Sequence, residues 1–278
     1  MKMTIEKYRH PILFYGLSIV IPWVLWFIAA YISHIEPSSH VYVIVESILG
    51  IIGLASPMIV AFILMFLDSD LRNDLLKRLF HFNAIKPFYI IVTCFLMVAS
   101  TLLAQAISLL FGYSPSQFSL AGKFSFSAGL FPAWFLLFVA PLLEELAWHS
   151  YGTDCLRKRF NLFTVSIIFA VFWAFWHFPL SFIKDYYQSN LVETGVIYSI
   201  NFSLSLIPFV ILMNWLYYKT GRNIIIPIIF HITAGFFNEV FATHPMSKVI
   251  QTVLLLILSI VIVIKERDFF FKLEYQEK

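Results

Sequence analysis

The sequence predicts an all-α fold, a polytopic transmembrane bundle of about eight spans with both termini cytoplasmic. Three observations carry that expectation. Of 278 residues, 60% are hydrophobic and only 13% charged, whereas an ordinary soluble domain is about a quarter charged. Apolar runs recur along the whole chain at the length of about 20 residues that a helix needs to cross the hydrocarbon core. The basic residues between those runs fall almost entirely in alternate loops.

The runs are, in order, residues 11–33, 41–67, 87–113, 126–150, 162–183, 196–218, 224–243 and 249–264. The first follows a basic leader, Lys2 to Arg9, and has neither a small-residue cleavage site nor the short core of a signal peptide, so it reads as a retained helix. No lipidation signal stands at the C-terminus. Between the second and third runs, residues 68–82 read as an amphipathic helix in the cytoplasmic interface, with Leu71, Leu75, Leu76 and Leu79 on one face. Pro57, Pro132 and Pro208 are expected to kink their helices, and Trp215, Tyr217 and Tyr218 to anchor a span at the interface. No repeat or long linker divides the chain, which reads as one membrane domain over residues 1–278.

Counted loop by loop, sixteen of the nineteen Lys and Arg fall in one set of alternate compartments. Only Lys123, Lys184 and Lys248 fall in the other. The positive-inside rule assigns the richer side, and with it both termini, to the cytoplasm of a cell membrane, read here as a bacterial plasma membrane. A net charge of +3 gives no footing for nucleic acid, and Cys94 and Cys155 lie in or beside apolar segments, so no disulfide framework is expected.

The fourth run breaks the apolar pattern. It ends in Pro141-Leu-Leu-Glu-Glu-Leu-Ala-Trp-His-Ser150, and carboxylates at bilayer depth are costly unless they face a protein interior or a wet cavity. Glu145 and His149 are four residues apart and share a helix face, which leaves Glu144 pointing elsewhere. His177 lies late in the fifth run and His231 in the seventh, with Asn238 two turns further along the same face. The other histidines, His10, His34, His40, His81 and His244, lie in the leader, loops or span edges and read as solvated. At 1.5 Å per residue from the basic clusters, Glu144, His177 and His231 come out at depths of about 20, 27 and 14 Å. Convergence is therefore expected, in a cavity between mid-membrane and the cytoplasmic side. Glu46 and Glu239 read as rim or interface residues.

A carboxylate and a histidine in such a pocket can deprotonate a water, while a second histidine and an amide donate to the oxyanion formed on a peptide carbonyl. The same Glu144, His177 and His231 are acceptable zinc ligands. No His-Glu-x-x-His motif gives zinc separate support, so the cofactor expectation is none or Zn2+.

The set Glu144-Glu145-x-x-x-His149, Trp173-x-x-x-His177 and His231, in successive late spans, resembles the CPBP family of intramembrane proteases. That family takes in the Rce1-like CaaX prenyl endopeptidases and the Abi group of bacteriocin-processing and self-immunity proteins. The resemblance covers residues 126–243. It implies catalytic roles for Glu144, His177 and His231, with Glu144 activating the water and Glu145 supporting. His149 stands where the family has Arg, Trp173 where it has Phe, and Gly235 where it has Asn or Asp, with Asn238 as the replacement donor. The expected function is intramembrane cleavage of membrane-associated or lipidated peptides. Two alternatives stand beside it: an inactive relative that binds a peptide or serves in self-immunity, and a proton-coupled transporter, which the lack of an inverted repeat disfavours.

Overall fold

The computed structural model describes residues 5–80 and 85–273, so His81 lies outside the described residues. Within them the chain is helical, and the expected bundle is present. Six helices are long and apolar enough to cross a membrane.

Helix α1 (Pro11–Ser33) begins on a proline whose missing N–H is one of the first-turn donors that no helix satisfies internally. It packs along α2 (His40–Phe66), whose start is capped by the Ser39 hydroxyl accepting from the Tyr42 N–H at 3.3 Å. The amphipathic segment forms α3 (Ser69–Phe80). Its buried face is Leu71, Leu75 and Arg78, while Leu76 is 46% exposed, so the stripe includes a cation that sequence patterning placed on the polar side. Helix α4 (Pro87–Leu109) comes next and packs against later helices of the bundle.

The fourth run differs most from expectation. Helix α5 spans Ala133–Ala147, and residues 126–132 form a loop. Pro132 caps α5 and does not kink it; Pro141 is the proline inside this helix. A π-helical turn, Trp148–Gly152, joins α5 to a short α6 (Thr153–Arg157). Helix α7 (Leu162–Trp176) is capped by Asn161 and gives way at His177 to a 3-10 turn, Phe178–Phe182. A short α8 (Tyr187–Thr194) then precedes α9 (Val196–Lys219).

The seventh run yields only α10 (Ile225–Val240), 16 residues long. It stops because the chain turns extended at Phe241 and pairs with Leu120. The last run is longer than expected: α11 (Pro245–Lys265) gains a turn from Pro245 and from the His244 ring, which accepts from the Met246 N–H at 3.1 Å. A short α12 (Arg267–Phe271) ends the described chain.

Helix ends gather at two poles. At one, a buried ionic cluster ties α3 to the bundle. The Arg78 guanidinium meets Asp154 at 2.9 Å and Asp74 at 2.8 Å, and Arg222 meets Asp154 at 2.6 Å and Asp74 at 2.9 Å. Tyr217 and Tyr218, expected as interface anchors, turn inward here. The Tyr218 hydroxyl donates to Asp154 at 2.9 Å, the Tyr217 hydroxyl lies 3.0 Å from the same carboxylate and donates to the His149 carbonyl at 2.8 Å, and Trp215 donates to Glu266 at 3.0 Å. The opposite pole is tied by loop contacts, including Lys184 with Glu36 at 3.1 Å and the Ser125 N–H donating to Glu239 at 2.8 Å. Cys94 and Cys155 are free.

Candidate functional site

Four tryptophans fill the centre of the bundle, each 1% exposed or less. Trp26 and Trp148 lie edge-on to Trp176 at centroid distances of 4.6 and 5.5 Å, and Trp173 stacks on Phe169 at 5.4 Å. This packing makes Trp173 a fixed hub. Its indole N–H donates to Glu144 Oε2 at 2.8 Å, and its backbone carbonyl accepts from His177 Nδ1 at 2.7 Å. The His231 ring stands edge-on to it at 5.1 Å. The expected aromatic substitution is thus more than conservative, since phenylalanine has no N–H to give the carboxylate.

Glu145 turns away from Glu144, as four-residue spacing with His149 predicts. Its Oε2 bonds His149 Nδ1 and its Oε1 accepts from His231 Nδ1 at 2.8 Å. A fully buried carboxylate is thereby held between two imidazoles, which satisfies the rule that buried charge must be paired.

His149 is bonded at both ring nitrogens. The Asn214 amide N–H donates to Ser166 Oγ at 2.9 Å, and that hydroxyl donates to the Leu162 carbonyl at 2.9 Å. Asn214 Oδ1 therefore faces His149 Nε2, at 3.0 Å, and accepts from it. Sequence reasoning missed Asn214: it sits in an apolar stretch of α9, and a polar residue at such depth was the available signal. It also missed Arg78, which donates to the His149 and Ser150 carbonyls of the π turn at 2.9 and 2.8 Å.

Glu144, Trp173, His177 and His231 line one cavity of about 330 Å³, within the range of small-ligand pockets. The carboxylate and both imidazoles expected to converge do share it. Its position differs from expectation. The lining comes from the middle of α2, residues 126–131, α5 as far as Glu144, the end of α7, residues 180–191, the first half of α9, α10 from His231 to Glu239 and the first half of α11. Most of those segments run toward the pole opposite the ionic cluster, so the cavity reaches from mid-bundle toward the end away from the basic loops. Counting residues from the basic clusters measured depth but carried no information on which way the pocket opens.

Asn238 lines the cavity but is not beside Glu144. Its amide N–H groups are committed to Tyr187 Oη at 3.1 Å and Glu239 Oε1 at 3.0 Å, two helical turns from His231. Gly235, between them, also lines the cavity. Glu239 fastens the loop at Ser125 to α10, the rim role expected of it.

A catalytic zinc takes three protein ligands with an open fourth position. Among the described residues no three His, Cys, Asp or Glu side chains gather as a metal would require.

The sequence profile of the type II CAAX prenyl endopeptidases, Rce1-like, matches residues 125–237, a stretch that holds Glu144, Glu145, His149, Trp173, His177, Asn214 and His231. Across almost the full length, the chain is 35% identical over 271 residues to CAAX prenyl protease 2 of Methanococcus maripaludis, covering 96% of this chain and 98% of that protein. A match of that extent, on top of a membrane bundle with acids and imidazoles around one chamber, places the chain in the Rce1-like CAAX prenyl endopeptidase family, as a multi-pass membrane endopeptidase.

Proposed function

We propose that the protein hydrolyses a peptide bond of a prenylated peptide, with water activated by Glu144 and His177. The observation that carries this is Trp173, which orients Glu144 through its indole N–H and His177 through its carbonyl. With Nδ1–H donated to that carbonyl, His177 keeps Nε2 as an acceptor for one hydrogen of a water. Glu144 accepts the other as a proton while the water oxygen attacks the peptide carbonyl carbon. His231, braced by Glu145 behind it, donates from Nε2 to the developing oxyanion, and Glu145 balances the positive charge that a second proton brings to the ring. Glu144 then passes its proton to the leaving nitrogen, the C–N bond breaks, and a carboxylic acid and an amine result. Apolar walls, including Ile51, Leu54, Met97 and Leu136, suit the lipid part of the substrate.

The test is cleavage of a farnesylated Cys-a-a-X peptide by purified protein in liposomes, followed by mass spectrometry. Glu144→Gln, His177→Ala and His231→Ala should each lower kcat by about 100-fold or more while the protein melts as wild type does. One observation favours a second reading, a peptide-binding relative of the self-immunity type. Gly235 offers no donor and the Asn238 amide is committed elsewhere. Peptide binding by a wild type that leaves every tested peptide intact would establish that reading.

A further inference from the structure

The endopeptidase reading places a free carboxylate on the leaving side of the substrate, because three residues and the chain end lie beyond the cysteine of a Cys-a-a-X terminus. What receives that charge can be sought along the cavity wall. Among the lining residues, three are acidic, Glu46, Glu144 and Glu239, and Lys248 alone is Lys or Arg.

Lys248 stands in the first turn of α11 with its side chain 21% exposed. Its nearest acid is Glu239, 4.0 Å from Nζ and beyond hydrogen-bond distance. The oxygens of Glu239 are already engaged, Oε2 by the Ser125 N–H and Oε1 by the Asn238 amide. The Tyr187 ring lies 5.8 Å from the ammonium. Lys248 is therefore a cation held near a structural carboxylate, with N–H donors still free to serve a second one.

The spacing fits. Eight residues separate His231 from Glu239 on α10, about 12 Å at 1.5 Å per residue. An extended tripeptide spans about 10 Å. Between the two, on the same helix face, is Gly235, where no side chain obstructs the wall; a Cβ there would stand 3.6 Å from Leu137. We propose that Lys248 binds the substrate's C-terminal carboxylate, and that the three leaving residues lie extended along α10 over Gly235. The active site then selects chain ends three residues from the cut.

The proposal rests on the endopeptidase reading, and the experiment separates the two. Protein in liposomes is given a farnesylated peptide ending Cys-Ala-Leu-Ser, either as the free acid or as the C-terminal amide. The acid should show a KM about tenfold or more below that of the amide. Lys248→Met should raise KM for the acid to the amide value with kcat held within about twofold, and Lys248→Arg should keep the preference. Gly235→Leu should raise KM for both forms. A wild type indifferent to amidation, or a Lys248→Met variant that still prefers the acid, overturns the proposal while leaving hydrolysis intact. Should no peptide be cleaved, the endopeptidase reading fails, and binding of the free tripeptide Ala-Leu-Ser decides the role of Lys248 on its own. Calorimetry should then give acid binding at least about tenfold tighter than amide, with the difference lost in Lys248→Met; equal affinities sink the proposal.

Discussion

Trp173 touches every group assigned to the water. Phenylalanine at this position would keep an aromatic ring against Phe169 but remove the N–H given to Glu144 together with part of the buried ring. A hydrogen bond to a charged partner contributes about 1.5–3 kcal/mol, so Trp173→Phe should lower kcat about 10- to 100-fold, with the melting temperature within a few degrees of wild type. Steady-state kinetics beside a thermal melt would check this. Asn214→Leu should act differently: it leaves His149 Nε2 buried without an acceptor, at about 1–3 kcal/mol, and should lower the melting temperature before it changes any kinetic constant. Much of this site was legible at the residue scale. Four-residue spacing put Glu145 against His149 and turned Glu144 away, and helix geometry alone settles such neighbours. Asn214 and Arg78 were not legible, because their partners come from segments 65 and 71 residues distant, and no local period specifies a tertiary neighbour.

Among the elements, the π turn after α5 ties α3 to the segment that carries His149. A π turn inserts an extra residue into the helical path and shifts the register of the residues beyond it. Here it carries His149, whose carbonyl is grasped by Arg78 of α3 and by the Tyr217 hydroxyl at 2.8 Å. Arg78 is only 4% exposed, and removing one partner from a buried ionic pair costs about 3–5 kcal/mol. Arg78→Met should therefore lower stability by about that amount, measured by denaturant or thermal unfolding in detergent. Asp154 supplies a pH test outside the spans. Burial pushes its carboxyl up, but the charges of Arg222 and Arg78 and the hydrogen bonds from Arg222 and Tyr218 outweigh burial and hold it below its usual range. A depressed folded value means that its stabilisation is complete above the unfolded value of about 3.9 and disappears as pH falls through the folded one. Melts from pH 7 to pH 3 should show wild type losing stability more steeply below about pH 4 than Asp154→Asn. Sequence patterning recognised α3 as amphipathic but assigned Arg78 to its wet face. It likewise took residues 126–132 as the start of a span, because Phe126, Leu130 and Phe131 are as apolar in a loop beside a cavity as they would be in lipid.

For the whole molecule, charge and cavity are at opposite poles. Among the described residues, fourteen of seventeen Lys and Arg belong to one pole, and the cavity reaches toward the other, which has Lys123, Lys184 and Lys248. If the basic pole is cytoplasmic, as the positive-inside rule requires, the mouth faces the opposite compartment. In sealed, right-side-out vesicles of a variant lacking Cys94 and Cys155, Ser127→Cys should react with an impermeant maleimide added outside, and Lys158→Cys should react only after permeabilisation. The reverse pattern would show that packing of α3 and the ionic cluster, not loop charge, fixes insertion.

The ionic cluster has one more effect. By knotting α3, α6 and the Arg222 turn together it fastens that end of the bundle, so any widening of the cavity to admit a reactant is expected at the far end.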